Sequence, residues 1–394
     1  MFSHRVPHDL THNRLTDTLA ALRAAGRPVI DLTATNPTRA AFAYPADLLA
    51  PLAAPAALDY RPQPLGATAA RLAVAADYAR QGLDVAPDRI ALTASTSEAY
   101  AILFKLLADA GDEIVIPRPS YPLFDHLASL DLVVTRPYDL EYHASWTIDF
   151  ASVSRALSAR TRAVLVVSPN NPTGSFVSRD ELDRLAALCA ERDIAIVADE
   201  VFADYELEPG AVASAGRATT IGNALAFALG GLSKSIGLPQ AKLGWIAVAG
   251  PDSLARAAVD RLELICDTYL SVSTPVQVAA PSLLERGAAV RAQIASRVAA
   301  NYRHLQSAAL ASPACRVLRA EGGWSAVLQV PTLESEEDLV VRLLTTAGVL
   351  VHPGYFFDFA RESYLVVSLL TPEPEFREGV DRILRYFACN ATTP

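Results

Sequence analysis

A mainly parallel β-sheet covered by helices on both faces, joined to a smaller α+β domain, is the α/β architecture this sequence predicts. Three observations predict it. Apolar runs of strand length recur at Arg89–Thr93, Glu113–Ile116, Thr161–Val167, Ile194–Ala198 and Leu225–Leu229, and they alternate with helix-like, often Ala-rich stretches. Each run ends in Ser, Asn, Asp, Pro or Gly, and loops at the carboxyl ends of strands are where such sheets bind ligands. The chain of 394 residues, 51% hydrophobic and 20% charged, is long enough to bury a large core and to split into two domains. The expected division is a large domain at 46–285 and a small one built from 1–45 and 286–394.

The elements follow in order. Leu15, Leu19, Leu22 and Ala25 fall on one side of a helix from Arg14 to Ala25 that stops at Gly26. VIDLTATNPT, Val29 to Thr38, is a short strand ending at the turn signal Asn36-Pro37. Tyr60 to Gly82 is a turn followed by a long Ala-rich helix. Arg89 to Leu107 is a strand running into a helix, with Ser95, Thr96 and Ser97 at the junction. Free N–H groups and the helix dipole there favour a phosphate, while a plain N-cap accounts for the same residues. EIVIPRPSYPLF brings Tyr121 to the loop after its strand, and TRAVLVVSPNNPTG brings Asn171. IAIVADEVFADY places Asp199 at the end of an apolar strand, where a carboxylate needs a partner because burying it alone is costly.

LAFALGGLSKSIGLPQAKLGW then presents one lysine, Lys234, between two core strands. Its glycine-rich, apolar flanks put the ammonium in a cleft, where desolvation lowers the pKa and suits the amine to forming a Schiff base. Two Ala-rich helices, Asp252 to Leu264 and Val276 to Ala308, lead to short strands and helices from Cys315 to Phe387. The aromatic loop HPGYFFDF, His352 to Phe359, either walls a pocket or packs as core.

Composition excludes several functions. Lys and Arg number 34 against 43 Asp and Glu, and a net charge of −9 argues against nucleic acid as the main partner. No apolar run reaches the length of a membrane span. The N-terminal MFSHRVPHDLTHNRL has neither a signal core nor the acid-poor character of a transit peptide, so a cytoplasmic address is expected. Cys189, Cys266, Cys315 and Cys389 are unpaired by spacing and read as reduced thiols, and His4, His8 and His12 form no ligand pattern, so no metal is expected.

SKSIGLP with a basic residue at Lys242, SPNNPTG, the Asp199 strand and the Ser95–Ser97 junction occur in one order. Together they resemble the class I/II aminotransferases, within the fold type I group of pyridoxal 5'-phosphate (PLP) enzymes, from Tyr60 to Ser368. The resemblance implies that Lys234 holds PLP as a Schiff base and then acts as general base, and that Asp199 keeps the pyridine nitrogen protonated. Asn171 would bond the ring oxygen and Tyr121 would stack on the ring. Ser95, Thr96, Ser97 and Ser233 would line the phosphate, and Tyr60 would reach the phosphate of a neighbouring copy, making a homodimer. Thr35 and Asn36 would lead into the substrate site, with an amino acid or amine and a 2-oxo acid as substrates.

Departures from the family pattern are visible too. Thr35 replaces a glycine, Phe202 a tyrosine that contacts the ring oxygen, Gly231 a phosphate-binding Ser or Thr, and Lys242 an arginine. Val366 stands where the family's arginine receives the substrate carboxylate. Either another cation has taken over, with Arg361 the nearby candidate, or the substrate has no carboxylate at that point. The same parts can run β-elimination or decarboxylation, so a β-lyase or decarboxylase is the alternative to transamination. A non-catalytic PLP-binding protein is the more distant one, since both Lys234 and Asp199 are kept.

Overall fold

The computed structural model describes residues 2–331 and 334–390, so parts of the expected small domain, at 1, 332–333 and 391–394, lie outside the described residues. Its strands are β1 (Ile30–Asp31), β2 (Ile90–Thr93), β3 (Glu113–Arg118), β4 (Val134–Tyr142), β5 (Trp146–Ile148), β6 (Thr161–Val167), β7 (Ala195–Asp199), β8 (Ala226–Gly231), β9 (Gly244–Ala249), β10 (Arg316–Val317), β11 (Ser325–Gln329), β12 (Val349–Leu350), β13 (His352–Pro353) and β14 (Tyr364–Ser368). An eight-stranded sheet has the order β2-β9-β8-β7-β6-β3-β4-β5. β8, β7, β6, β3 and β4 pair in parallel, and β9 is inserted antiparallel between β8 and β2.

Alternation along the strands shows why both faces are covered. Val164, Val166, Ile196 and Ala198 join one apolar cluster, while Ala163, Leu165, Val167, Ala195 and Val197 join another. Successive strand side chains point to opposite faces, so these near-continuous apolar runs need helices on each side. The helices Thr96–Leu107 and Asp252–Tyr269 cover one face, and Thr68–Arg80 with the first turns of Thr274–Leu310 cover the other. That last helix has 37 residues, about 55 Å at 1.5 Å per residue, and runs unbroken through residue 285.

A second, antiparallel sheet of order β10-β11-β14-β13 packs one face on the same core through Ala326, Leu328, Leu365 and Val367. β1 pairs in parallel with β12, tying the N-terminal segment to the C-terminal elements. The expected strand from Val29 to Thr38 is therefore only two residues long, because its continuation turns at Asn36, whose side chain caps Thr38 N–H at 3.0 Å. Among the short helices expected between Cys315 and Phe387, one is α-helical over Glu336–Arg342 and widens to a π-turn over Leu343–Ala347 before Gly348, at φ +66°.

β2, β3, β6, β7 and β8 all point the same way, so the loops after Thr93, Arg118, Val167, Asp199 and Gly231 gather at one edge, with the start of β9 beside them.

Candidate active site

Lys234 lies on a single helical turn, Leu232–Ser235, directly after β8. Its loop is held by its carbonyls: Tyr205 donates its O–H to Lys234 O, Arg291 Nε to Ser235 O at 2.8 Å, and Tyr44 O–H to Gly237 O at 2.7 Å. The glycines have steric reasons. A Cβ on Gly230 would collide with the Trp245 indole at Nε1, and one on Gly231 would press on Leu243 O at 3.1 Å. The hydroxyl expected from family habit at residue 231 therefore has little room here.

Lys234 Nζ sits 5.0 Å from the Trp324 ring centroid and 5.4 Å from that of Phe202. These rings pack edge to face at 5.3 Å, and Tyr205 meets Trp324 at 5.1 Å. Burial pushes the Lys234 pKa down, with the Asp199 charge opposing it. The aromatic walls favour a cation over their faces, which also opposes the shift.

Asp199 ends β7, the neighbour of β8. Its Oδ2 accepts the Tyr100 O–H at 2.8 Å and its Oδ1 accepts Val201 N–H at 3.2 Å. Burial raises its pKa, while both hydrogen bonds and Lys234 pull it down. Glu200 is a different kind of residue. It is buried, paired with Arg217 at 2.8 Å and bonded to Ala218 N–H at 2.8 Å, so it braces the scaffold. Sequence reasoning misses Tyr100. A tyrosine inside the apolar run AYAILF reads as core, and the signal for it is its place one turn beyond Thr96 on the helix that starts at the strand edge.

Ser95 is indeed the N-cap of that helix, accepting Glu98 N–H at 3.1 Å, and it keeps its own hydroxyl proton to donate. Thr96 and Ser97 supply first-turn N–H groups that no residue of the helix can accept. Gly231 lies against this turn, since a Cβ there would be 3.8 Å from Thr96 Cγ2, and a Cβ on Gly244 would be 3.1 Å from Thr96 N. Ser233 is half-buried beside the lysine. Lys242 is exposed and left-handed at φ +54° at the same edge.

Asn170 is buried and structural: Thr173 donates its N–H and O–H to Asn170 Oδ1. Asn171 instead faces the small sheet, where Ser325 Oγ donates to its Oδ1 at 3.2 Å, and its Nδ2 hydrogens are left to donate elsewhere. Trp324 and Ser325 are further site residues that sequence reasoning reads only as the start of a strand. Tyr121 is 45% exposed with an edge contact to Phe124 at 6.3 Å, and Tyr60 is 68% exposed. Thr35 and Asn36 are exposed after β1, anchored to the small sheet by the Ser368 hydroxyl on Ala34 O.

Two candidates lie apart from this gathering. Val366 is 2% exposed, enclosed by Trp146, Leu318, Val327 and Phe357. Arg361 is exposed in the turn before β14, and no hydrogen bond or ion pair joins it to any described residue. Among the described residues no group of three or more His, Cys, Asp or Glu could hold a metal ion. The residues present fit PLP: a raised-pKa carboxylate needing a cation, an amide donor without an acceptor, a buried amine and open helix N–H groups lie at one sheet edge.

Comparison with known proteins agrees. The family described as aminotransferase class I and II matches residues 53–383. Nicotianamine aminotransferase B of Hordeum vulgare is 33% identical over 231 residues, covering 57% of this chain and 41% of the barley protein, so this match spans less than half of that relative's length. Aspartate/prephenate aminotransferase of Thermus thermophilus is 29% identical over 375 residues, 92% of each chain. A double mutant of Thermus thermophilus aspartate aminotransferase superposes with a TM-score of 0.82 at 25% identity, over 98% of this chain and 99% of that one.

Proposed function

This chain belongs to the class I and II aminotransferases, a PLP-dependent family of fold type I, and on that premise we propose that it moves an amino group between an amino acid and a 2-oxo acid. The observation that carries the proposal is the placement of Asp199 at the end of β7 and of Lys234 just after the adjacent strand β8, one with its pKa pushed up by burial and the other pushed down. A part-buried amine and carboxylate at one edge, with no ion pair between them among the described residues, suit a ligand that brings a carbonyl to the first and a proton to the second.

When bound, PLP supplies the carbonyl carbon that receives the amino group and the ring that accepts electron density from the substrate carbon. The chain's residues do the rest. Lys234 Nζ would be the amine that anchors the cofactor and, when freed, the base that moves a proton from the substrate carbon to the cofactor's carbonyl-derived carbon. Asp199 would take the ring nitrogen and favour its protonated form, while its bonds from Tyr100 and Val201 fix its position and favour the ionised carboxylate against the burial that raises its pKa. Asn171 Nδ2 would donate to the ring oxygen, and Tyr121 and the Phe202–Trp324 walls would flank the ring and the amine. With Phe202 in place of a phenol, that oxygen would have Asn171 as its donor on this side. The N–H groups of Thr96 and Ser97, the hydroxyls of Ser95, Thr96, Ser97 and Ser233, and the charge of Lys242 would receive the phosphate. Lys242 gives a point charge where an arginine would give a fork.

The division into domains at 46–285 and at 1–45 with 286–394 is part of the same reading, supported by the β1–β12 pairing. So are a homodimer in which Tyr60 serves the neighbouring site, supported by the exposure of that ring, and a cytoplasmic address. Among the described residues, no helix is long and apolar enough to cross a membrane.

Borohydride reduction of the protein with PLP, followed by peptide mapping, tests the role of Lys234. The label is expected on the peptide carrying Lys234 and absent in Lys234→Ala; label on another lysine refutes the assignment.

A further inference from the structure

The small sheet presents a row of three residues where the family's arginine is missing. Val366 of β14 is paired antiparallel with Val327 of β11 and with His352 of β13. Residues directly opposite in an antiparallel ladder project from the same face, so these three side chains share one face, away from the core-facing Ala326, Leu328, Leu365 and Val367. The next pair on that face is Ser325 with Ser368, and Ser325 is the residue that touches Asn171. The row thus begins two residues, about 7 Å, along the sheet from the Asn171 contact.

Val366 cannot itself receive an anion, since Trp146, Leu318 and Phe357 close over it. His352 is the one polar member of the row. Its ring packs against Phe356 at 5.8 Å and Phe357 at 5.9 Å, and Phe357 O accepts the N–H of Ser120, the neighbour of Tyr121. Nδ1 is buried with no hydrogen-bond partner, Nε2 has none either among the described residues, and the ring is only part-buried, which leaves Nε2 as the nitrogen open to a ligand. A polar ring kept without a partner in an apolar wall is a cost that a ligand can relieve.

Resting on the aminotransferase reading, we infer that His352 receives the substrate carboxylate through its Nε2–H, in the role the family gives to the arginine that Val366 replaces. The site then recognises the carboxylate by a single imidazole donor beside an apolar wall, which favours monocarboxylic amino acids with apolar side chains. Arg361, exposed and without a hydrogen bond or ion pair among the described residues, is not needed for it.

The test is kinetic. KM and kcat are measured for an apolar amino acid and for the amine of the same side chain lacking the carboxylate, in the wild type, His352→Phe, His352→Gln and Arg361→Ala, each holoenzyme first checked by its PLP absorption spectrum. The expected result is that His352→Phe raises KM for the amino acid by about tenfold or more. It should leave KM for the amine and the PLP spectrum unchanged, with His352→Gln in between and Arg361→Ala like the wild type. An unchanged amino-acid KM in His352→Phe, a raised one in Arg361→Ala, or equal use of amine and amino acid by the wild type overturns the inference. A wild type that takes up no PLP fails at the spectrum, which sinks the aminotransferase reading itself and is thereby distinguished from a failure of His352.

Discussion

At the scale of single residues, the site depends on which buried groups lack partners and which are already satisfied. Asp199 and Glu200 are adjacent carboxylates at one strand end, yet Arg217 and Ala218 N–H satisfy Glu200, while Asp199 has a phenol and one amide. Tyr100 stabilises the ionised form of Asp199, opposing the burial that raises its pKa. Removing its hydroxyl lets that pKa rise further, so Asp199 holds a ring proton less firmly. For Tyr100→Phe we expect PLP binding weakened and kcat lowered, each by about tenfold, from loss of a hydrogen bond to a charged group worth ~1.5–3 kcal/mol. Equilibrium titration of PLP and the pH dependence of the bound cofactor's spectrum check this, and unchanged values would reduce Tyr100 to packing. The motif residues are legible in sequence because strand ends rich in Ser, Asn, Asp and Lys mark ligand loops. Tyr100, Trp324 and Ser325 are not, because each is set in an apolar run and its polar atom is revealed only by what lies opposite in space.

At the scale of elements, the lysine loop is a short turn with few bonds of its own, fixed by side chains from three distant parts of the chain. Arg291, 8% exposed on the long helix, bonds Ser235 O and pairs with Asp77 at 3.2 Å and Asp204 at 3.5 Å. Arg80 also pairs with both aspartates, at 2.9 and 2.7 Å, so two guanidinium groups are balanced by two carboxylates beneath the loop. Arg291→Met would leave one buried charge short of a partner and free the Ser235 carbonyl. The expected cost is ~3–5 kcal/mol, read as a lower midpoint in urea unfolding, with Arg291→Lys losing less. A midpoint within experimental scatter of the wild type would mean the cluster is not structural. The clamp is illegible in sequence, since Arg291 lies in an Ala-rich helix where a basic residue reads as a solvated face. Nor does periodicity carry strand direction, and so the antiparallel insertion of β9 into a mainly parallel sheet emerges only from its pairing. The hairpin of β4 and β5 escapes sequence reasoning for a related reason: TRPYDLEY alternates weakly and runs at a sheet edge, yet Trp146 of the hairpin closes over Val366.

At the scale of the whole molecule, alternating apolar runs and helices are enough to predict a mainly parallel sheet with helices on both faces. The parallel order in turn brings loops that are far apart in sequence to one edge. The small sheet meets that edge through Ser325 on Asn171 and closes the place of the missing arginine with Trp146 and Phe357. On the proposed reading, the large sheet would hold the cofactor and the small one would recognise the substrate. Transamination is the activity that the lysine, the carboxylate and the family together imply. It is tested most directly by the absorption spectrum of the purified protein with PLP while amino acids are added one at a time. The account predicts conversion to the pyridoxamine form with one 2-oxo acid released per site, strongest for monocarboxylic apolar amino acids. A spectrum that stays in the PLP form while ammonia or carbon dioxide accumulates would contradict it.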